Sequence, residues 1–271
     1  MTLTLTGSTG HLGRLVLDRL GDRVDRLVVR DASRAPAGFD TRVATYGDRA
    51  ASVEALRGTD VLLMVSGAES PTRREEHRTF IEAAAEAGVG HVVYTSFLGA
   101  APDAGFTLGR DHFDAEEAVR ASGMAWTLLR DNFYTEVLPL FADEDGVVAG
   151  PAGQGRLAAV ARADVADVAA AVLSDAPAHA GATYALTGPE ALTLGEATER
   201  MTRLLGREFS YREESVEEAY ASRRRWSQEQ WQLEAWVSTY TAIADGECAQ
   251  VTDDVRRVTG HDARTLEDAL G

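Results

Sequence analysis

Apolar residues along the first 130 positions follow two alternating patterns. Short apolar runs predict strands, and the positions Leu12, Val16 and Leu20, one helical turn apart, predict a helix. The run from Val61 to Val65 is continuous, which is typical of a strand buried on both faces of a parallel sheet. Six strands that alternate with helices predict an α/β fold with a doubly wound parallel sheet. The predicted strands lie at residues 3–6, 26–29, 41–45, 61–65, 91–94 and 126–129, and the clearest later helices at 72–87 and 110–122.

The pattern changes after about residue 131. Glycine and proline interrupt residues 139–155, which predicts a region rich in loops. Beyond this region the apolar spacing predicts further helices and one strand. The helices are expected near residues 164–174, 193–206, 214–221 and 227–244, and the strand near 182–186.

Charge and composition exclude several classes of protein. The net charge is −16 and all 27 basic residues are arginine, so the surface repels nucleic acid and we expect no nucleic-acid partner. Without lysine there is neither a Schiff-base lysine nor the Tyr-x-x-x-Lys pair of typical short-chain dehydrogenases. The single cysteine, Cys248, leaves no disulfide, and the lack of clustered histidines predicts no metal site. No apolar run approaches the roughly 20 residues of a membrane span, and the first residues do not resemble a signal peptide, so we expect a cytoplasmic protein without a membrane partner.

The strongest local signal is the segment from Gly7 to Gly13, which reads Gly-Ser-Thr-Gly-His-Leu-Gly. Gly7 permits a tight turn, Gly10 lets the backbone approach a pyrophosphate, and Gly13 allows close packing of helix on strand. The start of the following helix favours phosphate charge. The alternative is a turn that uses glycine for steric reasons alone. The position inside a β-α-β unit favours a site for a nicotinamide dinucleotide.

The end of the second strand predicts which dinucleotide binds. An acidic residue there suits the ribose of NAD, whereas arginine accommodates the 2′-phosphate of NADP. The chain has Arg30 at this place and Arg34 nearby, which favours NADP(H). Asp31 is the counter-argument, and a surface pair between Arg30 and Asp31 is the alternative role for the arginine.

Together these signals predict two domains. Residues 1–132 would form an NAD(P)-binding Rossmann domain, and residues 133–271 mainly a smaller substrate-binding lobe. Parts of the second half, near residues 156–186, would return to the Rossmann domain. A monomer and a homodimer both stay open.

Several short motifs recur in the order of a known family. They are GSTGHLG, VVRDASR, TYGD, VVYTS and WTLLRDNFY, followed by ARADVADVAA and GATYALTGPEALTLGEATERM. The chain resembles the NmrA-like atypical short-chain dehydrogenases, and within them the type 2 quinone oxidoreductases most closely. The likeness fades over about residues 212–235. It implies NADPH-dependent reduction of a quinone or similar conjugated acceptor, and a small C-terminal lobe over the sheet.

The resemblance also assigns roles to residues of this chain. The residues that match the pyrophosphate turn are Gly7, Ser8, Thr9, Gly10, His11 and Leu12. Arg30 matches the 2′-phosphate arginine, and Asp48 would lie near the adenine. The residues that end strands under the cofactor or facing its nicotinamide are Ser66, Gly67, Tyr94, Thr95 and Ser96. Asn132 and Tyr134 match the asparagine and tyrosine of a family motif, in which Phe133 replaces the commoner glycine.

His112 is the best candidate for a donor to the acceptor oxygen, which gains negative charge during hydride transfer. An imidazole with its ordinary pKa of about 6.5 donates near neutral pH. Glu116, one helical turn later, is positioned to pair with His112. A surface histidine at a helix start is the alternative, and the resemblance favours catalysis because the quinone reductase subgroup has histidine there. The predicted catalytic set is His112, Tyr94, Ser96, Asn132 and Tyr134, whereas His77 and His91 are expected on a helix surface and at a strand start.

Three functions remain open from the sequence. They are a reductase of quinones or related aromatics, a non-catalytic NADP-binding redox sensor, and a reductase of an enone or polyketide-like intermediate. A flat conjugated acceptor suits an apolar, aromatic-lined pocket. The aromatic residues Trp226, Trp231, Trp236 and Tyr240 are candidates for that lining, with core packing as the commoner role.

Overall fold

The computed structural model describes all 271 residues and contains eleven strands. In chain order they are β1 (Leu3–Thr6), β2 (Arg26–Val29), β3 (Asp40–Val43), β4 (Val61–Met64), β5 (His91–Phe97), β6 (Ala125–Asp131), β7 (Val147–Gly150), β8 (Arg156–Leu157), β9 (Ala182–Leu186), β10 (Leu192–Thr193) and β11 (Ser210–Glu213). Seven strands form one sheet in the order β3-β2-β1-β4-β5-β6-β9. The pairings that link β3, β2, β1, β4 and β5 are parallel, and the strand order reverses between β1 and β4. The predicted Rossmann-type sheet is confirmed, and the reversal is the switch point at which such sheets bind ligands.

Ten α-helices accompany the strands. They are α1 (His11–Leu20), α2 (Arg49–Leu56), α3 (Arg73–Glu86), α4 (Thr107–Ala121), α5 (Arg162–Ser174), α6 (Leu194–Leu205), α7 (Val216–Arg223), α8 (Gln230–Ala244), α9 (Asp254–Thr259) and α10 (Leu266–Leu270). Local sequence sets their ends: α6 starts with a capping box between Thr193 and Glu196 and stops at Gly206, whose φ is 64°. Helix α4 begins three residues before its predicted start. His112 therefore lies in its second turn and not at the helix start as expected.

Two small sheets in the second half were not predicted from the sequence. Strands β10 and β8 pair antiparallel, and β11 pairs parallel with β7. Strands β8 and β10 contain two residues each, which is too short for an alternating pattern to be visible. None of the helices combines the length and the apolar character that a membrane span requires.

The chain divides into two compact units. Unit 1 comprises Met1–Ser96, Asp111–Arg130 and Val165–Tyr184, and unit 2 comprises Phe97–Arg110, Asp131–Asp164 and Ala185–Gly271. The stretch 97–110 groups with unit 2, which the predicted boundary at residue 132 does not anticipate. The assignment of a cofactor domain and a substrate lobe stays a prediction.

Each unit has its own apolar core. In unit 1, Leu62 and Met64 of β4 pack in one cluster with Phe80 of α3 and Val92 of β5. In unit 2 the cluster is built from the loops, short strands and helices of the second half, and its buried members include Phe97, Phe106, Leu138, Val148, Leu157, Met201 and Tyr240. Strands β4 and β5 are buried along their whole length, as the apolar run of β4 predicts.

Phe80 gives a test of the unit 1 core. Its side chain is 0% exposed and stacks on Tyr46 with ring centroids 4.2 Å apart. We expect Phe80→Ala to lower the free energy of unfolding by about 3–5 kcal/mol, because it leaves a cavity in a close-packed cluster. Leu140 is 76% exposed, and Leu140→Ala should cost less than about 0.5 kcal/mol. Urea unfolding measures both, and equal losses would contradict this core.

Candidate functional site

The segment after β1 forms a tight turn whose backbone leaves no room for side chains at two positions. Gly7 has φ of 68°, and a Cβ on it would lie 2.8 Å from the Cβ of Val65. A Cβ on Gly13 would lie 2.2 Å from the carbonyl oxygen of Gly7. The amide of Gly10 donates to that same carbonyl over 2.9 Å. Glycine is therefore required for α1 to start this close to β1.

The start of α1 has the properties of a phosphate site. No side chain caps the helix at Gly10, and its first turn contains no acidic residue. Its first amides therefore have no partner within the helix and carry the positive end of its dipole. The Ser8 side chain is fully buried, and its Oγ has no hydrogen-bond partner within the protein. A buried hydroxyl without a partner is costly, so these groups fit the phosphates of a dinucleotide.

The end of β2 presents an exposed cation. Arg30 and Arg34 are both exposed. The Asp31 carboxylate accepts hydrogen bonds from the amide and hydroxyl of Ser33, at 2.9 and 2.7 Å, and these bonds lower the pKa of that carboxyl. Asp31 caps the next turn and does not form the alternative ion pair with Arg30. Arg30 thus remains available for an anionic group.

Two residues near the end of β3 have clear structural roles. The Asp48 carboxylate is exposed and caps α2 by accepting from the amide of Ala51 at 3.0 Å. The Tyr46 hydroxyl donates to the carbonyl of Val65 at 2.5 Å. Tyr46 thus holds the segment that follows β4. The position of Asp48 near an adenine stays a prediction.

The segment after β4 is tied to its neighbours by its backbone. The Ser66 amide donates to Thr95 Oγ1 at 2.8 Å. The Gly67 amide donates to His77 Nε2 at 2.8 Å, and the Gly67 carbonyl accepts from Arg73 Nε at 3.0 Å. Helix α3 therefore holds both polar groups of Gly67, at the end of a strand that flanks the switch point.

His112 is a buried side chain held between Arg73 and Tyr94, and its role as a hydrogen-bond donor to the acceptor stays a prediction. The side chain is only 6% exposed; its Nε2 lies 2.9 Å from Arg73 Nη2, and its Nδ1 lies 3.1 Å from the Tyr94 hydroxyl. A guanidinium can only donate, so Nε2 accepts and the proton of the neutral ring is on Nδ1. Burial, followed by the charges of Arg73 and His77, holds the His112 pKa well below 6.5. The imidazole is neutral at physiological pH.

Glu116 does not pair with His112. Its buried carboxylate accepts from Arg130 Nη2 at 2.6 Å and from Arg120 Nη2 at 2.9 Å. Ser96, also fully buried, donates its hydroxyl to the same carboxylate at 2.5 Å. The Ser96 hydroxyl is therefore part of a buried ion-pair cluster, and its predicted catalytic role stays a prediction. Tyr94, with 0% exposure, and Thr95, with 2%, are likewise interior side chains.

His77 is buried, and its predicted place on a helix surface is wrong. Its side chain is 0% exposed, and its Nδ1 lies 3.4 Å from the Tyr94 hydroxyl. Burial, and then the charge of Arg73, lowers the His77 pKa to about 3. His91 does start β5 as expected, and its Nε2 lies 2.9 Å from the Thr127 hydroxyl.

In unit 2, Asn132 acts as a clamp between three backbone segments. Its Nδ2 donates to the carbonyls of Ala158 and Cys248, both at 3.0 Å. Its Oδ1 accepts from the amide of Phe133 at 2.9 Å, and the side chain is 1% exposed. These bonds give Asn132 a structural role, and its predicted catalytic role stays a prediction.

Tyr134 is half-buried in unit 2, and its hydroxyl donates to the Asp131 carboxylate. The guanidinium of Arg162 lies 5.0 Å from the centre of its ring. Burial, and then the negative charge of Asp131, raises the pKa of Tyr134 well above 10. The phenol is therefore a neutral hydrogen-bond donor at physiological pH.

Unit 2 also contains an aromatic cluster that the sequence analysis missed. Phe133 lies 4.9 Å from Phe97, 5.2 Å from Phe106 and 6.4 Å from Phe141 between ring centroids. Phe133 and Phe141 are half-buried. Of the aromatic residues predicted to line a pocket, Tyr240 is buried in the unit 2 core and Trp226 is 60% exposed. The sequence signal for this cluster was Phe133, which stands where the family motif more commonly has glycine.

A parallel sheet with a phosphate-binding turn at its switch point defines a dinucleotide-binding protein. The chain belongs to the NAD(P)H-binding family, whose model matches residues 7–176.

Relatives of known activity extend this result. The chain is 37% identical over 220 residues to quinone oxidoreductase 2 of Escherichia coli, which covers 77% of this chain and 76% of that protein. It is 34% identical over 279 residues to a (4-alkanoyl-5-oxo-2,5-dihydrofuran-3-yl)methyl phosphate reductase of Streptomyces griseus, which covers 98% of this chain and 95% of that protein. A crystal structure of an NADPH-dependent quinone oxidoreductase from Escherichia coli, complexed with NADPH, matches with a TM-score of 0.89 and 32% identity over 99% of this chain and 98% of that one.

These comparisons confirm two predictions. The resemblance to the quinone oxidoreductase branch of the NmrA-like reductases is correct, and the chain is an NAD(P)H-dependent oxidoreductase. The redox-sensor alternative is therefore not retained.

The neutral buried histidines predict a pH dependence of stability. His77 has an unfolded pKa near 6.5 and a folded pKa of about 3, so between these values the unfolded chain binds a proton that the native protein does not. We expect the free energy of unfolding to fall as pH is lowered below about 6.5, and His77 alone contributes up to about 1.4 kcal/mol per pH unit. His77→Gln should reduce this slope between pH 6 and 4, as measured by urea unfolding. An unchanged slope would mean that His77 titrates normally in the native protein.

Proposed function

We propose that the protein is an NADPH-dependent reductase of quinones or similar conjugated acceptors. The observation that carries this proposal is the set of uncapped amides at the start of α1 together with the buried Ser8 hydroxyl, which we call the cradle of α1. The end of β2, where Arg30 is exposed, lies beside it. The amides would hold the pyrophosphate, and Arg30 would pair with the 2′-phosphate. Reduced NADP supplies a hydride when bound.

The residues of this chain would act mainly by orienting the reactants. Reduction of a quinone to the hydroquinone takes one hydride from the cofactor and one proton from another source. Neither buried histidine, His77 nor His112, is charged near neutral pH, because burial lowers the pKa of each well below 6.5. The Tyr134 hydroxyl already donates its proton to Asp131, so we propose that water supplies the proton.

A flat, conjugated acceptor agrees with the apolar character of unit 2. The rings of Phe133 and Phe141 are half-buried, and aromatic faces bind flat conjugated molecules by stacking and edge contacts. The Escherichia coli relative is named for quinones, which belong to this class. Hydride would add to an acceptor atom from which conjugation can delocalise the resulting negative charge.

An enone reductase is the second candidate. The Streptomyces griseus relative is named as the reductase of an unsaturated dihydrofuranone, and its match covers 98% of this chain. Reduction of such a carbon–carbon double bond also uses one hydride and one proton, so the same residues would serve both reactions. The two candidates differ only in the shape and polarity of the acceptor.

Cofactor preference tests the role of Arg30. We expect Arg30→Ala to raise the dissociation constant of NADPH by roughly 10- to 150-fold, because a charge-assisted phosphate contact contributes about 1.5–3 kcal/mol. NADH affinity should hardly change, and Arg57→Ala, at an exposed arginine of unit 1 paired with Glu54, should alter neither. Fluorescence titration gives these constants. Equal weakening of both cofactors by Arg30→Ala would refute the phosphate contact.

Acceptor-dependent oxidation of NADPH tests the reaction itself. We expect turnover with at least one quinone or enone from a panel, and a rate at saturating substrates that varies less than about twofold between pH 6 and 8. The flat profile is expected because the buried histidines remain neutral over that range. The absence of turnover across the panel would refute the reductase, whereas a step near pH 6.5 that His112→Gln removes would restore His112 as the acid.

A further inference from the structure

A closed ring of hydrogen bonds surrounds the peptide groups of Gly67. The Gly67 amide donates to His77 Nε2 at 2.8 Å, and Arg73 Nε donates to the Gly67 carbonyl at 3.0 Å. Arg73 Nη2 in turn lies 2.9 Å from His112 Nε2. The ring closes through the Tyr94 hydroxyl, 3.1 Å from His112 Nδ1 and 3.4 Å from His77 Nδ1. We call Arg73, His77, Tyr94 and His112 the Gly67 clamp.

The chemistry of the donors sets the tautomer of both histidines in the clamp. An amide and a guanidinium can only donate, so Nε2 of both histidines must accept. Each neutral imidazole then has its proton on Nδ1, and both Nδ1 groups donate to the oxygen of Tyr94. A proton added to His77 Nε2 would face the N–H of Gly67, so the clamp requires a neutral ring. The side chains of His77 and Tyr94 are 0% exposed and that of Arg73 is 4% exposed, so water does not compete for these bonds.

The clamp lies where a cofactor would meet the protein. Gly67 follows β4, and β4 borders β1 at the reversal of strand order, where parallel sheets bind their ligands. Val65, two residues earlier, is held so close to the phosphate turn that a Cβ on Gly7 would lie 2.8 Å from its own Cβ. The segment from Val65 to Gly67 therefore forms a wall beside the cradle of α1.

Gly67 itself is closely packed against the clamp. A Cβ on Gly67 would lie 3.2 Å from His77 Nε2, which shows that the imidazole sits directly against this backbone. Both polar groups of one residue are thus fixed by a single helix, α3. Such double anchoring removes the freedom of a loop that would otherwise have to be ordered when a ligand binds.

We propose that His77 is a positioning residue for the dinucleotide, acting through the Gly67 backbone that it holds against the cofactor site. This inference rests on the proposed NADPH site and adds to it a residue that does not contact the substrate. His77 acts by accepting one hydrogen bond at Nε2. The remaining members of the clamp keep its ring neutral and correctly oriented.

Three substitutions separate the two hydrogen bonds of His77. The terminal amide of glutamine lies near the position of Nε2 in histidine, so His77→Gln keeps an acceptor for Gly67. The amide of asparagine lies near the position of Nδ1, so His77→Asn keeps only the bond to Tyr94, and His77→Phe keeps neither. His91→Gln is the matched control, because His91 is a buried histidine of the same unit that bonds to Thr127 and not to Gly67.

The readout is the dissociation constant of NADPH, measured by fluorescence without any acceptor. We expect His77→Phe and His77→Asn to weaken NADPH binding about tenfold, and His77→Gln and His91→Gln to stay within about threefold of the parent protein. With an acceptor present, the KM for NADPH should rise in parallel while kcat at saturation changes less than about threefold. If the parent protein reduces no acceptor, the proposed reaction fails. The dissociation constants still test the role of His77, because they are measured without an acceptor.

Two outcomes would overturn the proposal. In the first, the His77→Phe and His77→Asn proteins fold and bind NADPH as tightly as the parent protein. In the second, the His77→Gln protein binds NADPH as weakly as the His77→Phe protein. If these variants do not fold, ¹⁵N NMR of the parent protein decides. A scalar coupling across the hydrogen bond from the Gly67 nitrogen to His77 Nε2, with a Gly67 amide shift on NADPH addition larger than that of Gly88, supports the proposal. An unmoved Gly67 amide in the NADPH complex refutes it.

Discussion

The site depends on one close approach of backbone to backbone. The Gly7 carbonyl oxygen lies 2.2 Å from where a Cβ on Gly13 would stand, so only glycine lets α1 begin directly above the end of β1. This approach brings the free amides of the helix and the buried Ser8 hydroxyl together beside the strand reversal. A doubly charged pyrophosphate would give all of these donors a partner at once.

The buried ionisable groups of unit 1 differ in charge according to their neighbours. His77 and His112 are buried beside Arg73, whose charge disfavours a second positive charge nearby. Glu116 is buried too, but it meets Arg130 and Arg120 and therefore remains an ion pair. The interior thus supplies fixed dipoles and hydrogen bonds, and the redox chemistry comes from the cofactor. In the proposed reaction, we infer that this arrangement contributes by orienting the reactants.

Local features were predictable from the sequence, and long-range ones were not. The turn from Gly7 to Gly13 and the strands beside it follow from spacing within a few residues, so both were placed correctly. His77 lies among charged residues of α3 and therefore had the pattern of a surface position, yet it is buried against Gly67 and Tyr94. The partner of His112 is 39 positions away, so no local pattern could indicate Arg73. The phenylalanines around Phe133 likewise come together only through the fold of unit 2.

The most direct test of this account is a crystal structure of the protein with NADPH. The account predicts the pyrophosphate within hydrogen-bonding distance, about 3.2 Å or less, of the first amides of α1 and of Ser8 Oγ, with the 2′-phosphate on Arg30. It also predicts that the Gly67 backbone contacts the nucleotide while His77 keeps its bond to the Gly67 amide. A nucleotide bound away from α1, or phosphates in place with Ser8 still lacking a partner, would contradict it.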